Sequence, residues 1–327
     1  MTRVKWRSGL LVAVLLIAVL AGAAVYLLPI RWSRVQFVEY AMAEPHDMPI
    51  AIAAAPDGSI WFTIDGAAAI GRLRDGQVER LPKSGKSVEP LGMAAAPDGA
   101  AWYADIAAGG VARMAPSGEV SSFPLDTPMV RLGRLAVAPD GAAWFAEATG
   151  YSITRLKDGE LTRHVPDSLR GGPYGVAVAA DGTVWATLQG ANQLLRIAPG
   201  GAIEAFDVPR PAAVPTDVAI APDGAVWFLQ FRGNRIGRLE DGKFAEFEVA
   251  EDNAGLSGLA VAQDGAVWFG MLRAGSLGRL RDGEVEVYRL PRERARPYSL
   301  AIDRDGNVWY ADITGYVGML PARYAKE

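Results

Sequence analysis

The most constraining feature of this chain is a short unit, Asp-Gly-x-x-Trp, that occurs seven times at nearly constant spacing. Successive units lie 41 or 42 residues apart in a sequence of 327 residues. The units begin at Asp57, Asp98, Asp140, Asp181, Asp223, Asp264 and Asp305. Every tryptophan except Trp6 and Trp32 belongs to one of them. A fixed period of this length is typical of a repeat protein in which each unit folds in the same way.

Each repeat contains four short segments with the pattern of β-strands. In the fifth repeat they are residues 218–221, 226–228, 235–239 and 244–249, and an Asp-Gly pair separates the first two and the last two. Asp-Gly between alternating apolar residues favours a tight hairpin because both central residues of a type I′ turn need a positive φ. Four antiparallel strands per repeat predict an all-β fold, a seven-bladed β-propeller with four-stranded blades, over residues 31–327.

The seventh repeat ends early, since only residues 321–327 follow its third strand. Residues 35–40, ahead of the first repeat, show the alternation of the fourth strands in the other repeats. We therefore predict that this N-terminal strand closes the last blade and hides the edges that an open ring would expose. Removal of residues 31–42 should then destabilise the whole domain. The repeated tryptophans are expected to fill the gaps between neighbouring blades.

The first 30 residues have a different composition. Arg3, Lys5 and Arg7 precede residues 8–30, which are mostly apolar and carry no charge. A helix of this length crosses the ~30 Å hydrocarbon core of a bilayer, and basic residues ahead of it favour a cytoplasmic N-terminus. The sequence predicts a cytoplasmic segment 1–7, a transmembrane signal anchor at 8–30 and a propeller on the periplasmic side of the inner membrane. The alternative is a cleaved signal peptide and a secreted propeller.

Composition excludes several classes of protein. The chain has no cysteine, which rules out disulfides, thiol nucleophiles and thiolate metal sites. Its formal net charge is only −4, and it contains no run of basic residues. We therefore expect no nucleic-acid partner.

The topology of a blade separates two faces. With the strands named a to d in chain order, both Asp-Gly turns lie on one face, the turn face. The b–c loops and the d–a connections lie on the other, the mouth face. The residues nearest the axis there are the seventh before each turn Asp and the third after each Trp. At these positions, the residues predicted to bind a ligand are Tyr174, Tyr298, Glu147, Gln230 and Asp312. The alternative is an ordinary solvated rim.

Two stretches carry a resemblance to a known family. "PYGVAVAADGTVW" at 173–185 and "NRIGRLEDG" at 234–242 resemble the repeats of the virginiamycin B lyase (streptogramin lyase) family, and the likeness covers about residues 35–321. The resemblance implies a seven-bladed propeller. For family members that are enzymes, it also implies an elimination that opens cyclic streptogramin B antibiotics with a histidine base and a Mg²⁺ ion.

The family's site positions are only partly matched. Its histidines follow the Pro that begins strand a, and the corresponding residues here are Ile50, Leu91, Tyr174, Thr216 and Tyr298. In the second repeat, Glu89 and Asp105 match the two acidic positions, so the resemblance implies a Mg²⁺ site there. In the seventh repeat, Asp312 is retained but Arg296 replaces the first acid.

The chain has two histidines. His46 stands in a Glu-Pro-His sequence eleven residues before Asp57 instead of seven, and it is the candidate catalytic base. The alternative is a surface histidine without a role in the mouth. His164 lies in an outer strand d and is expected to be exposed to solvent.

The sequence is compatible with three functions. The missing histidines favour a binding module that recognises a small molecule, a peptide, a glycan or a partner protein at the mouth. No cofactor is assigned to it with certainty. The retained acids favour a divergent Mg²⁺-dependent lyase or hydrolase that acts on a cyclic peptide or ester. The predicted anchor favours a scaffold in an envelope assembly.

Overall fold

A computed structural model of the chain describes residues 36–126, 131–166 and 171–325. These residues form seven antiparallel sheets of four strands each, so the predicted propeller is confirmed. The predicted cytoplasmic segment 1–7 and anchor 8–30 lie outside the described residues. Within the described part of the chain, no helix combines the length and the apolar character needed to cross a bilayer.

The short strand β1 (Val38–Ala41) precedes the first four blades. Blade 1 contains β2 to β5, which are Met48–Ala54, Ile60–Asp65, Ala69–Arg74 and Gln77–Pro82. Blade 2 contains β6 to β9, which are Met93–Ala95, Ala101–Asp105, Gly110–Met114 and Val120–Pro124. Blade 3 contains β10 to β13, which are Leu132–Val137, Ala143–Glu147, Ser152–Lys157 and Glu160–His164. Blade 4 contains β14 to β17, which are Pro173–Val178, Val184–Leu188, Gln193–Ile197 and Ile203–Asp207.

Three further blades complete the ring. Blade 5 contains β18 to β21, which are Pro215–Ile220, Val226–Gln230, Arg235–Glu240 and Lys243–Glu248. Blade 6 contains β22 to β25, which are Leu256–Val261, Val267–Met271, Ser276–Arg281 and Glu284–Arg289. Blade 7 contains β26 to β28, which are Pro297–Ile302, Val308–Asp312 and Tyr316–Leu320. A single helical turn, α1 (Ala322–Ala325), follows.

The ring closes through the N-terminal strand, as predicted. Strand β1 pairs antiparallel with β28 and is the outer strand of blade 7, and strand a of blade 1 packs against strand a of blade 7. Glu39 of β1 accepts hydrogen bonds from Arg292, with the Nε–Oε2 distance at 3.0 Å, and from the Tyr310 hydroxyl at 2.8 Å. The strand begins at Val38 and ends at Ala41, slightly later than the predicted segment 35–40.

The tryptophans pack between blades, which confirms their predicted role. Trp102, for example, belongs to one buried cluster with Leu135 and Phe145 of the next blade. The ring also contacts Phe123 of the outer strand in its own blade, with centroids 5.3 Å apart. Trp102 thus joins two blades and covers the outer strand of one of them.

Glycine on strand c makes room for an aromatic ring on strand b. In blade 5, Gly237 lies opposite Phe228, and a Cβ on Gly237 would come 2.1 Å from that ring. Blade 4 reverses the two sizes, because Ala186 on strand b faces Leu195 on strand c. The blade core therefore keeps its volume while the individual residues change.

Candidate functional site

The innermost strands begin irregularly, and this irregularity brings two residues of each of blades 3, 4 and 5 near the axis. In blade 5, Pro215 pairs with Gln230 and Val218 with Phe228, so the two residues between Pro215 and Val218 depart from regular register. Blades 3 and 4 show the same shift. An extra residue in a strand re-aims side chains in this way. Residues from blades 3 to 7 consequently meet around a cavity of about 170 Å³ on the mouth face, which we call the axial cavity.

Both tyrosines predicted at the mouth line the axial cavity. Tyr174 of blade 4 and Tyr298 of blade 7 are both among its lining residues. Burial raises the pKa of Tyr174 above its ordinary value. The phenol is therefore neutral at physiological pH and can donate or accept a hydrogen bond. Ligand binding by these two residues remains a prediction.

A largely buried ion pair crosses the floor of the axial cavity. Arg134 of blade 3 donates from Nε and Nη2 to the two carboxylate oxygens of Asp217 of blade 5, at 2.9 and 3.1 Å. Nη1 of Arg134 also donates to the carbonyl oxygen of Leu91 at 3.1 Å. The Asp217 carboxylate in turn accepts the backbone N–H of Leu259 at 3.2 Å. These contacts connect blades 2, 3, 5 and 6 across the axis.

The two tyrosines also contact the cation of this pair. The guanidinium carbon of Arg134 lies 5.8 Å from the ring centre of Tyr174 and 5.6 Å from that of Tyr298, within cation–π range. Burial by itself lowers the pKa of Arg134, but the Asp217 carboxylate and the two tyrosines outweigh it and raise the pKa above its ordinary value. The Arg134 guanidinium therefore stays charged.

Sequence reasoning missed Arg134 and Asp217, although a signal was present. Both occupy the sixth position before the turn Asp, one residue after the position at which Tyr174 and Tyr298 stand. The other five blades have small residues there, namely Ala51, Gly92, Gly175, Gly258 and Ser299. Two charged residues of opposite sign at a position reserved for small residues indicate a specific pair at the axis.

A larger cavity of about 550 Å³, the mouth groove, adjoins the axial cavity, and Tyr174 lines both. Its walls come from blades 2, 3 and 4 and include Val88, Leu91, Ile106, Tyr151, Glu89 and Arg131. Large apolar side chains remain exposed around the two cavities: Val88 is 64% exposed, Tyr151 45% and Phe231 52%. Exposed apolar groups around a cavity that contains a few polar side chains are typical of a binding site.

Three of the residues predicted to bind a ligand lie elsewhere. Glu147, Gln230 and Asp312 are at most 1% exposed and line neither cavity. Each is paired near its own blade. Glu147 accepts from Thr154 and Arg163, Gln230 donates to Glu246 at 2.9 Å, and Asp312 accepts from Arg292 at 2.6 Å. Both faces of strand b pack against neighbouring blades, so a polar residue there is buried and must find a partner. These three side chains are therefore buried outside the two cavities, and ligand binding by them remains a prediction.

The acids implied as Mg²⁺ ligands do not fit that ion. Asp105 is buried, and its Oδ1 accepts from Lys83 Nζ at 2.9 Å and from the Ser87 hydroxyl at 3.1 Å. The same ammonium donates to the Gly85 carbonyl oxygen at 3.0 Å, so a cation already neutralises the carboxylate. Glu89 lies in an exposed loop beside the mouth groove. No group of three or more His, Cys, Asp or Glu side chains suited to a metal occurs among residues 36–126, 131–166 and 171–325.

The histidines lie apart from both cavities. His46 is exposed in the connection into blade 1 and lines a separate surface cavity of about 480 Å³ with residues such as Asp47 and Arg80. His164 is only half-buried rather than exposed, because its ring stacks on Trp144 with centroids 5.2 Å apart. Burial, followed by the nearby Arg155 charge, lowers the pKa of His164. The His164 ring packs on the tryptophan of blade 3 as the Phe123 ring packs on the tryptophan of blade 2.

The fold and its axial site define a seven-bladed β-propeller with a cavity at the axis of one face, lined by an ion pair, two tyrosines and apolar groups. The sequence model of the virginiamycin B lyase family matches residues 32–164 and 132–323, and the chain belongs to this family. A virginiamycin B lyase of Nocardia farcinica is 34% identical over 207 residues, which are 63% of this chain and 71% of that protein.

Solved structures agree with this assignment. A streptogramin B lyase structure superposes with a TM-score of 0.82 at 25% identity and covers 87% of this chain and 96% of its own. A catalytically inactive variant of the virginiamycin B lyase from Staphylococcus aureus, with quinupristin, also gives a TM-score of 0.82 at 25% identity, over 88% of this chain and 99% of its own.

Proposed function

We propose that this protein is a ligand-binding member of the virginiamycin B lyase family that takes a peptide-like ligand on the mouth face. The observation that carries the proposal is the joined pair of cavities around Tyr174, with exposed apolar side chains at the rim and the paired Arg134 and Asp217 on the floor. A ligand with an aromatic or aliphatic side chain would bury that group in the mouth groove. Its polar backbone would meet the hydrogen-bonding groups of the axial cavity.

Titration with quinupristin tests this proposal, because a Staphylococcus aureus member of the fold was crystallised with that compound. We expect saturable binding by calorimetry, and Tyr174→Ala should weaken it at least about tenfold because both cavities lose a shared wall. The matched control is Tyr324→Ala, another half-buried tyrosine, in the C-terminal helical turn. Equal binding by the two variants, with both melting near the wild type, would contradict the proposed position of the ligand.

A divergent lyase or hydrolase is the alternative function. It is favoured by the two lyase structures at a TM-score of 0.82. Prolonged incubation with quinupristin, followed by chromatography and mass spectrometry, separates the possibilities. Hydrolysis adds the mass of water, elimination changes the retention without changing the mass, and binding alone returns intact ligand. If the ring is opened, His46→Ala shows whether that histidine is the base.

We also propose that residues 8–30 anchor the protein in the inner membrane with the propeller on the periplasmic side. The support is the uncharged apolar stretch behind three basic residues. Carbonate extraction of membranes should leave the full chain in the pellet, and deletion of residues 1–30 should release the propeller. A secreted protein whose N-terminus lies within or just after the apolar stretch would instead indicate a cleaved signal peptide.

A further inference from the structure

A second arginine, Arg273, lies at the rim of the axial cavity, and contacts with residues 253–255 hold it there. Its Nη1 donates to Asn253 Oδ1, and its backbone N–H donates to the Ala254 carbonyl oxygen at 2.9 Å. The side chain lies against Gly255, where a Cβ would come 2.8 Å from Arg273 Cγ. Gly255 therefore leaves the space that the arginine occupies. No carboxylate forms an ion pair with Arg273 within residues 36–126, 131–166 and 171–325.

Arg134 on the cavity floor retains hydrogen-bonding capacity. A guanidinium has five N–H donors. Two of them are used by Asp217 and one by the Leu91 carbonyl. Two N–H groups of Arg134 thus remain for another acceptor, and a buried donor gains most from a strong one.

The charges around the axial cavity favour a ligand with one negative charge. The charged side chains that line it are Arg134, Arg273 and Asp217, two cations and one anion. Asp217 neutralises Arg134, so among the residues that line the cavity the exposed guanidinium of Arg273 is the cation without a carboxylate partner. One negative charge on a ligand would pair with it, whereas a dianion such as phosphate would exceed this charge.

We propose that the axial cavity binds the carboxylate end of a peptide-like ligand, with Arg273 as the counter-charge and Arg134 as an additional donor. The aromatic or aliphatic side chain next to that carboxylate would contact Phe231 and Tyr174, which also line the cavity. This inference rests on the proposed ligand-binding function and makes it more specific. It predicts a preference for linear peptide acids, since a cyclic ester has no free carboxylate at its closed end.

N-acetylphenylalanine and its carboxamide provide a matched pair of probes that differ in one charge. We expect the acid to bind about tenfold more tightly than the amide, because charge-assisted hydrogen bonds are roughly twice as strong as neutral ones. Higher ionic strength should weaken binding of the acid only. Saturation-transfer NMR or calorimetry on the full chain measures both affinities.

Arg273→Gln should remove the preference for the acid, and Gly255→Ala should reduce it by displacing the arginine. Arg232→Gln is the matched control, because Arg232 is an exposed arginine in the neighbouring b–c loop that does not line the cavity. Equal affinity for acid and amide in the wild type overturns the proposal, as does an intact preference in Arg273→Gln or no binding of the acid at low-millimolar concentration. If quinupristin still binds when one of these results is obtained, the carboxylate proposal is wrong but the proposed ligand-binding function is not contradicted.

Discussion

Replacement of Lys83 by methionine tests whether its buried ammonium holds part of the fold together. The Lys83 and Asp105 side chains are each 1% exposed, and their charged atoms lie 2.9 Å apart. Methionine fills much of the same space but leaves the Asp105 carboxylate with the Ser87 hydroxyl and no cation. Loss of one partner from a buried ion pair costs about 3–5 kcal/mol, since an uncompensated charge stays in the interior. We expect a decrease of that size in the free energy of unfolding.

Urea denaturation followed by tryptophan fluorescence measures this change, because the tryptophans lie between the blades. The double variant Lys83→Met/Asp105→Leu should recover most of the loss, since it removes the stranded charge. Arg113→Gln is the control: it removes a partner of the exposed Asp98, and such pairs contribute about 0–1 kcal/mol. The reasoning fails if Lys83→Met is no more harmful than the control, or if the double variant is as unstable as the single one.

Three further changes test other parts of the fold. Gly237→Ala should lower the free energy of unfolding by about 1–3 kcal/mol through its collision with Phe228, and adding Phe228→Leu should recover most of that loss; urea midpoints of the wild type and the two variants decide this. Glu39→Gln removes the charge that pairs with Arg292, and thermal unfolding should show the closure weakened by about 1.5–3 kcal/mol. Burial keeps the pKa of His164 below its ordinary 6.5, so the folded state binds fewer protons than the unfolded one. Wild-type stability should therefore fall as the pH drops through that value, whereas His164→Phe should not show this loss; melting at about pH 7.5 and about pH 5.5 compares them.

The fold was predictable because its determinants are local and repeated. Asp-Gly turns and one tryptophan per repeat specify hairpins and the contact between blades, and neither depends on distant residues. Closure by β1 was also predictable, since a blade without its fourth strand and a strand without a blade occur at opposite ends of the repeat array.

The site was only partly predictable. Tyr174 and Tyr298 reach the axial cavity because strand a is the innermost strand of each blade and both residues lie near its mouth-face end. Asp105 was misleading, because its partner Lys83 lies 22 residues earlier in a connection whose path the sequence does not reveal. The pair formed by Arg134 and Asp217 spans 83 residues, and only the departure from small residues marks it.

The closure by β1 has a mechanical consequence. In blade 7 the outer strand comes from the other end of the chain, so tension applied at residue 36 is transmitted to the ring through the pairing of Val38–Ala41 with β28. A pull along the strand loads all of these hydrogen bonds at once, whereas a pull outward peels them one after another, beginning opposite Met319. The bond between Glu39 and Arg292 lies one residue inside that point. It is therefore among the first side-chain contacts to resist peeling.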